Sequence, residues 1–141
     1  MSAVDSLQAT LAGEHAAVYV CGVLGGRVSV SASPALADDL RTAYITHRGR
    51  RDQVIAMIRA ADEEPVAAEV SYELPSPART DEQCRRAAAE IESRCAEVYA
   101  SMVETTSRAN RQWAIDALTD AAVRMLTFDG EASAFPGVPE L

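Results

Sequence analysis

One helix-period stripe constrains this chain more than any other feature. Val4, Leu7, Leu11, Glu14, Val18, Cys21 and Gly25 fall three or four residues apart, on one face of a helix. Every member is apolar or small except Glu14. An unpaired charge inside such a stripe is too costly, so Glu14 must be paired, metal-bound or protonated. Whatever the chain folds into has to bring a partner to that carboxylate.

The spacing predicts a first helix over Ser2 to Gly25, stopped by Gly25-Gly26. Between Ser6 and Leu24 only Glu14 and His15 can carry charge. The opposite face holds Ala16, Ala17, Val20, Val23 and Leu24. A helix apolar all round is covered on more than one side. Left bare, that second face would be an exposed apolar patch of the kind monomers avoid, so a homodimer through helix 1 is expected unless the segment Val66 to Leu74 covers that face instead.

Ser33-Pro34 has the form of an N-cap followed by proline in the first turn. Helix 2 is expected from Pro34 to Ala61, with Ala37, Leu40, Tyr44, His47, Arg51, Val54 and Ile58 on its inner stripe. Again polar residues, His47 and Arg51, sit in the middle of an apolar face. In an antiparallel hairpin, residues equally far from the turn stand at equal height. Glu14, His47 and Arg51 are therefore expected to meet at one level of the core, as a buried ion pair with His47 one turn away.

Asp62 to Arg79 forms a long connection. Val66, Ala68, Val70, Tyr72 and Leu74 alternate with less apolar residues, which is strand period without a partner strand. An extended segment along the bundle is expected, returning the chain so that helices 2 and 3 run parallel. Helix 3 is expected from a capping box at Thr80 and Gln83 to about Thr106. Its stripe is Cys84, Ala88, Ile91, Cys95, Val98 and Met102, with Glu92 and Tyr99 on the shoulder. Helix 4 is expected from about Asn110 to Phe128, ended by Asp129-Gly130. Phe135 and Val138 in the tail read as anchors onto the bundle. The fold class is all-α, an antiparallel four-helix bundle with one long crossover between helices 2 and 3, in a single domain spanning 1–141.

Bulk charge narrows the partners. The formal net charge is −8, which argues against nucleic acid, since phosphate binding needs a basic face. All 13 basic residues are arginine, and arginine suits buried pairing because its fork meets a carboxylate in two bonds. No basic start followed by an apolar run marks a secretory signal, and no stretch is long enough to span a membrane. Cys21, Cys84 and Cys95 are an odd count without zinc spacing, and they read as reduced, buried thiols in a cytoplasmic protein.

These residues resemble a known family. Glu14 followed five positions on by Tyr19, in a helix rich in small residues, is similar to the first helix of ferritin-like proteins. More closely, LQATLAGEHAAVYVCGVLGGR, the HRGRRD run from His47 to Asp52, YELPSPA from Tyr72 to Ala78 and FPGVPEL resemble an uncharacterised bacterial ferritin-like family of unknown function. The likeness covers nearly the whole chain and implies the ferritin-like bundle, but no activity.

The chain departs from the ferritin pattern where iron would sit. Di-iron sites of that fold take a Glu from helix 1, Glu-x-x-His from helix 2, a Glu from helix 3 and Glu-x-x-His or a variant from helix 4. Glu14 matches the first, and Glu92 (then Glu90 or Glu97) the third. If Arg51 takes the helix 2 histidine position, Arg48 takes the glutamate position. Helix 4 offers Asp116 and Asp120 as its nearest substitutes. The resemblance therefore implies a dismantled site, with arginine in place of metal charge and no cofactor expected.

Plain alternatives stand beside these readings. Tyr19, Tyr44 and Tyr99 are either a hydrogen-bonding or radical set or ordinary core tyrosines. Arg48, Arg50 and Arg51 are either an anion site or a solvated face with one buried member. Asp116, Asp120 and Arg124 have the spacing of surface pairs. Two function classes remain: a non-catalytic bundle acting by association with itself or a partner protein, or a redox or oxygen-handling protein holding iron or manganese on Glu14, His15, His47, Glu92 and Asp120.

Overall fold

Ser2 opens the first helix. Its hydroxyl accepts the Asp5 amide while the Asp5 carboxylate accepts the Ser2 amide, a reciprocal cap. In the computed structural model, which describes residues 1–128 and 133–138, four helices follow. They are α1 (Ala3–Arg27), α2 (Pro34–Ala60), α3 (Asp81–Thr105) and α4 (Arg108–Thr127). No strand occurs among the described residues, and no helix there is long and apolar enough to cross a membrane.

Local chemistry explains the ends. α1 runs through Gly25-Gly26 to Arg27, whose guanidinium donates to the Ala78 carbonyl at 3.1 Å. The two glycines therefore do not stop the helix. Ser33 stands at the start of α2, but its hydroxyl donates to the Asp81 carboxylate rather than capping its own helix. That bond ties the start of α2 to the start of α3. Thr80 caps α3 through the Gln83 amide, and the Gln83 side chain accepts from the Arg79 amide. α4 begins at Arg108, two residues before the expected start, with Arg108 itself in the left-handed region (φ 51). A bulky residue in that conformation makes the corner that a glycine usually makes.

Cross-helix contacts give the directions. Ser6 and Thr10 meet Thr105 and Val98, so α1 and α3 are antiparallel. Glu14 meets His47 while Gly22, further along α1, lies beside Tyr44, earlier in α2, so α1 and α2 are antiparallel. His47 and Arg50 meet Glu92 and Tyr99, so α2 and α3 run parallel. This is the four-helix bundle with one long crossover expected from the sequence. α1 packs on α2 and α3, and α3 packs on α4. α2 and α4 reach each other through polar side chains: Gln53 with Trp113, Arg50 with Asp120, and Thr46 with Arg124. Leu11, Leu24, Leu40 and Ile58 are fully buried, each contributing about 1.5–3 kcal/mol.

The crossover lies along α1. The Gln8 side chain donates to the Glu64 carbonyl at 2.7 Å and accepts the Val66 amide at 2.9 Å. Further along, His15 Nε2 bonds the Val66 carbonyl at 3.1 Å, and the Tyr19 and Tyr72 rings stand 5.6 Å apart. Tyr72 and Leu74 pack inward, whereas Val70 points wholly into solvent. The alternation thus describes an extended segment that buries one end.

Two expectations change here. Ala17, Val20 and Leu24 are core residues within this chain, so the bare face drawn on helix 1 does not exist as such. In the tail, Phe135 is 56% exposed and does not anchor. The close approach belongs to Gly137 (φ +80), where a Cβ would stand 2.3 Å from the Ala96 carbonyl oxygen. Only glycine fits there. The expected stop at Asp129-Gly130 lies outside the described residues.

Candidate functional site

Each helix sends polar side chains to one level of the bundle. Glu14 comes from α1, His47 and Arg50 from α2, Glu92 and Tyr99 from α3, Asp120 and Arg124 from α4. Position, not composition, puts them there. Glu14 sits on the buried face of α1 between Leu11 and Ala17, and His47 sits between Ala43 and Val54 on that of α2.

The contacts close a ring. The Tyr99 hydroxyl donates to Glu14 Oε1. Glu14 Oε2 lies 2.7 Å from His47 Nδ1, and His47 Nε2 lies 2.9 Å from Glu92 Oε1. Arg124 Nε stands 3.8 Å from Glu92 Oε1 and donates through Nη1 to Asp120 at 2.8 Å. Asp120 also accepts from Arg50 at 2.5 Å, and Arg50 returns to the Tyr99 hydroxyl at 3.3 Å. The Arg50 guanidinium covers the Tyr99 ring at 5.3 Å, and Trp113 meets that ring edge-on at 5.9 Å. Glu14, His47 and Glu92 are fully buried, while Asp120 reaches solvent.

Arg51 is not a member. It pairs with its neighbour Asp52 at 2.8 Å, partly exposed, so the expected Glu14–Arg51 pair is corrected. The inward cation of α2 is Arg50, three residues after His47 and hence one turn along the same face. His15 faces the crossover, Tyr19 stacks near Tyr72, and Tyr44 lies 5.5 Å below the Arg48 guanidinium; none joins the ring. Asp120 and Arg124 do join it, although their i, i+4 spacing reads as a surface pair; Asp116 takes a hydrogen bond from Gln112 instead. Arg51→Met is therefore expected to change stability by less than about 0.5 kcal/mol. Arg50→Met, which takes one of two guanidinium groups from Asp120, a hydrogen bond from the Tyr99 hydroxyl and the cation from the Tyr99 ring, should cost about 1–3 kcal/mol. Urea midpoints of the two variants check this, and equal midpoints would return Arg51 to the core.

A model of the family described as a domain of unknown function (DUF4439) matches residues 6–140. The chain belongs to that family. It is also similar to the crystal structure of a conserved hypothetical protein, Rv2844, from Mycobacterium tuberculosis. The TM-score is 0.82 and the identity 29%, over 90% of this chain and 95% of that one. Among curated proteins none matches.

The ring of this DUF4439 chain has a defined protonation logic. Carboxylates accept only, so a histidine bonded to one on each nitrogen donates from both and is an imidazolium. Burial alone would lower the His47 pKa. Hydrogen bonds to Glu14 and Glu92, and their charges, outweigh burial and hold it at about 9. Then Glu14, Glu92 and Asp120 are balanced by His47, Arg50 and Arg124. Burial would raise Asp120, but Arg124 and Arg50 hold it below the ordinary carboxylate value. Burial, with Cys95 and Glu14 nearby, pushes Tyr99 well up, which keeps it a donor. Burial likewise raises Cys21 and Cys95, so neither is a thiolate nucleophile at neutral pH.

Metal ligation fits this arrangement poorly. Both His47 nitrogens already face carboxylates, His15 is elsewhere, and Asp120 is held by two guanidinium groups. Among the described residues no three or more His, Cys, Asp or Glu side chains are placed to hold an ion. One atom stands out: Glu92 Oε2 is buried without a hydrogen-bond partner.

Proposed function

We propose that this DUF4439 chain is a ferritin-like bundle in which an internal charge network takes the place of a di-iron centre. It works by associating with itself or with a partner protein, not by catalysis. The observation that carries this reading is His47 bridging Glu14 and Glu92, with Arg50 and Arg124 completing the ring. Carboxylates from α1 and α3 meet an inward i, i+3 pair of α2, as in the ferritin pattern, but that pair is His47 and Arg50. Fixed cations neutralise carboxylates that a metal would otherwise hold. On this reading residues 1–141 form one domain of a cytoplasmic homodimer, in keeping with free, buried Cys21, Cys84 and Cys95. A net charge of −8 agrees with a partner other than nucleic acid.

The second reading, an iron or manganese protein, has one observation in its favour: the unpartnered Glu92 Oε2. Expression in medium supplemented with iron, manganese and zinc, followed by dialysis and elemental analysis, separates the two. Far less than one metal per chain is expected. About two tightly held iron atoms per chain, the complement of a di-iron bundle, would overturn the structural reading.

A further inference from the structure

Where α1 and α2 leave their connecting turn, a groove lies between them. Cys21, Gly22 and Gly25 of α1 and Ala37, Leu40 and Tyr44 of α2 wall this groove of about 440 Å³. It opens because α1 puts glycine at the wall. A Cβ on Gly25 would meet nothing within 4 Å, and one on Gly22 would only touch the Tyr44 ring. At the rim stands Val30, 69% exposed, on the turn itself. Beside it Asp38 and Arg41 carry opposite charges on one exposed helical turn, with Arg41 lining the groove.

This surface has the two properties that a two-fold contact requires. It carries an apolar knob next to an apolar hole, and an anion next to a cation. An isologous interface presents one patch to itself, so each feature must find its complement on the same face. A foreign anion would have to displace Asp38 from Arg41 and leave Asp38 unpaired, whereas a second copy brings both charges, so each internal pair can be exchanged for a cross-axis pair without stranding either. We propose that this face is where two copies of the chain meet, Val30 of each seating in the groove of the other and Arg41 of each reaching Asp38 across the axis. The inference rests on the self-association proposed above and moves it from the middle of α1 to the end of the α1–α2 hairpin. Depletion of charge at the centre with a charged rim is the usual anatomy of such contacts.

Light scattering on the intact chain tests it. The wild type is expected at twice the 15.0 kDa chain mass at micromolar concentration. Gly25→Glu places a carboxylate in the groove where the chain itself leaves room, so the fold should hold while dimer affinity falls at least tenfold. Circular dichroism melts of the variant check that the fold is kept. Arg41→Asp should weaken the dimer by juxtaposing acidic residues, and adding Asp38→Arg should restore it, because the swap keeps the pattern complementary. A wild type that stays at the chain mass overturns both self-association and this surface. A folded Gly25→Glu that remains dimeric overturns this surface alone. A wild-type groove that binds laurate but no second copy likewise overturns it in favour of a small amphiphile.

Discussion

Replacing His47 with leucine is expected to destabilise the protein by about 3–5 kcal/mol, the usual cost of removing one partner from a buried ion pair. The residue lies between two fully buried carboxylates, 2.7 Å from one and 2.9 Å from the other. Without the imidazolium, Glu14 keeps the Tyr99 hydroxyl, while Glu92 keeps only Arg124 at 3.8 Å. Each must then face its neighbour's charge or take up a proton. Adding Glu14→Leu and Glu92→Leu removes both stranded charges, so the triple variant should recover much of the loss. Urea denaturation of the single and triple variants measures this. A single variant with the parent's midpoint would mean that the histidine carries no charge between the two carboxylates.

The second large effect is on pH. His47 has a folded pKa of about 9, raised above its ordinary value of about 6.5. A raised histidine contributes stability that is fully present below the unfolded pKa and lost as pH rises through the folded one. A difference of that size corresponds to roughly 3 kcal/mol. The urea midpoint should therefore hold steady between about pH 5 and 6.5, above the titration of the carboxylates, and fall progressively toward about pH 9. Buried thiols and Tyr99 pull in the same direction, but their unfolded forms ionise only from about pH 8.5 upward. The lower part of the fall thus isolates His47. His47→Leu should abolish it between about pH 6.5 and 8.5. A wild-type midpoint that is flat across that window would show that His47 is neutral when folded.

How much of this could be read from the residues depends on what surrounds each. Glu14 is conspicuous because nothing else on its stripe is charged, and His47 follows from counting equal distances from one turn. Glu92 sits on the shoulder of a clear α3 stripe. Arg50 is harder. In the run Arg48-Gly49-Arg50-Arg51 a phase error of one residue, 100° around the helix, exchanges the inward cation. His47 does not decide between them, since residues three and four positions on both share its face. Asp120 and Arg124 were obscured for a different reason. An acid and a base four residues apart look the same whether they pair in solvent or across a seam between helices. What separates the cases is the identity of the facing helix, α2, which is a tertiary fact. The second face of helix 1 differs from expectation because Ala17, Val20 and Leu24 join Glu14 and Cys21 in the core between the helices, so the buried arc is wider than one stripe, while the crossover covers Gln8, His15 and Tyr19 beside it.

The thinness of direct packing between α2 and α4 has a consequence for how the chain finds its arrangement. The two helical hairpins, α1–α2 and α3–α4, meet over faces rich in alanine, with Ala17, Ala43, Ala87, Ala88, Ala117 and Ala121 buried, and small uniform side chains discriminate weakly among relative orientations. The polar groups do discriminate. In any mis-docked arrangement, Glu14 and Glu92 lose the imidazolium between them inside a core that solvent enters poorly, and Arg50 and Arg124 lose the carboxylate they share nearer the surface. Such arrangements are penalised by stranded charge even where their greasy surfaces match. The ring thus acts as a keyed joint: it discriminates among ways of assembling the same two halves, and only the assembly in which all four helices arrive at the same level closes it.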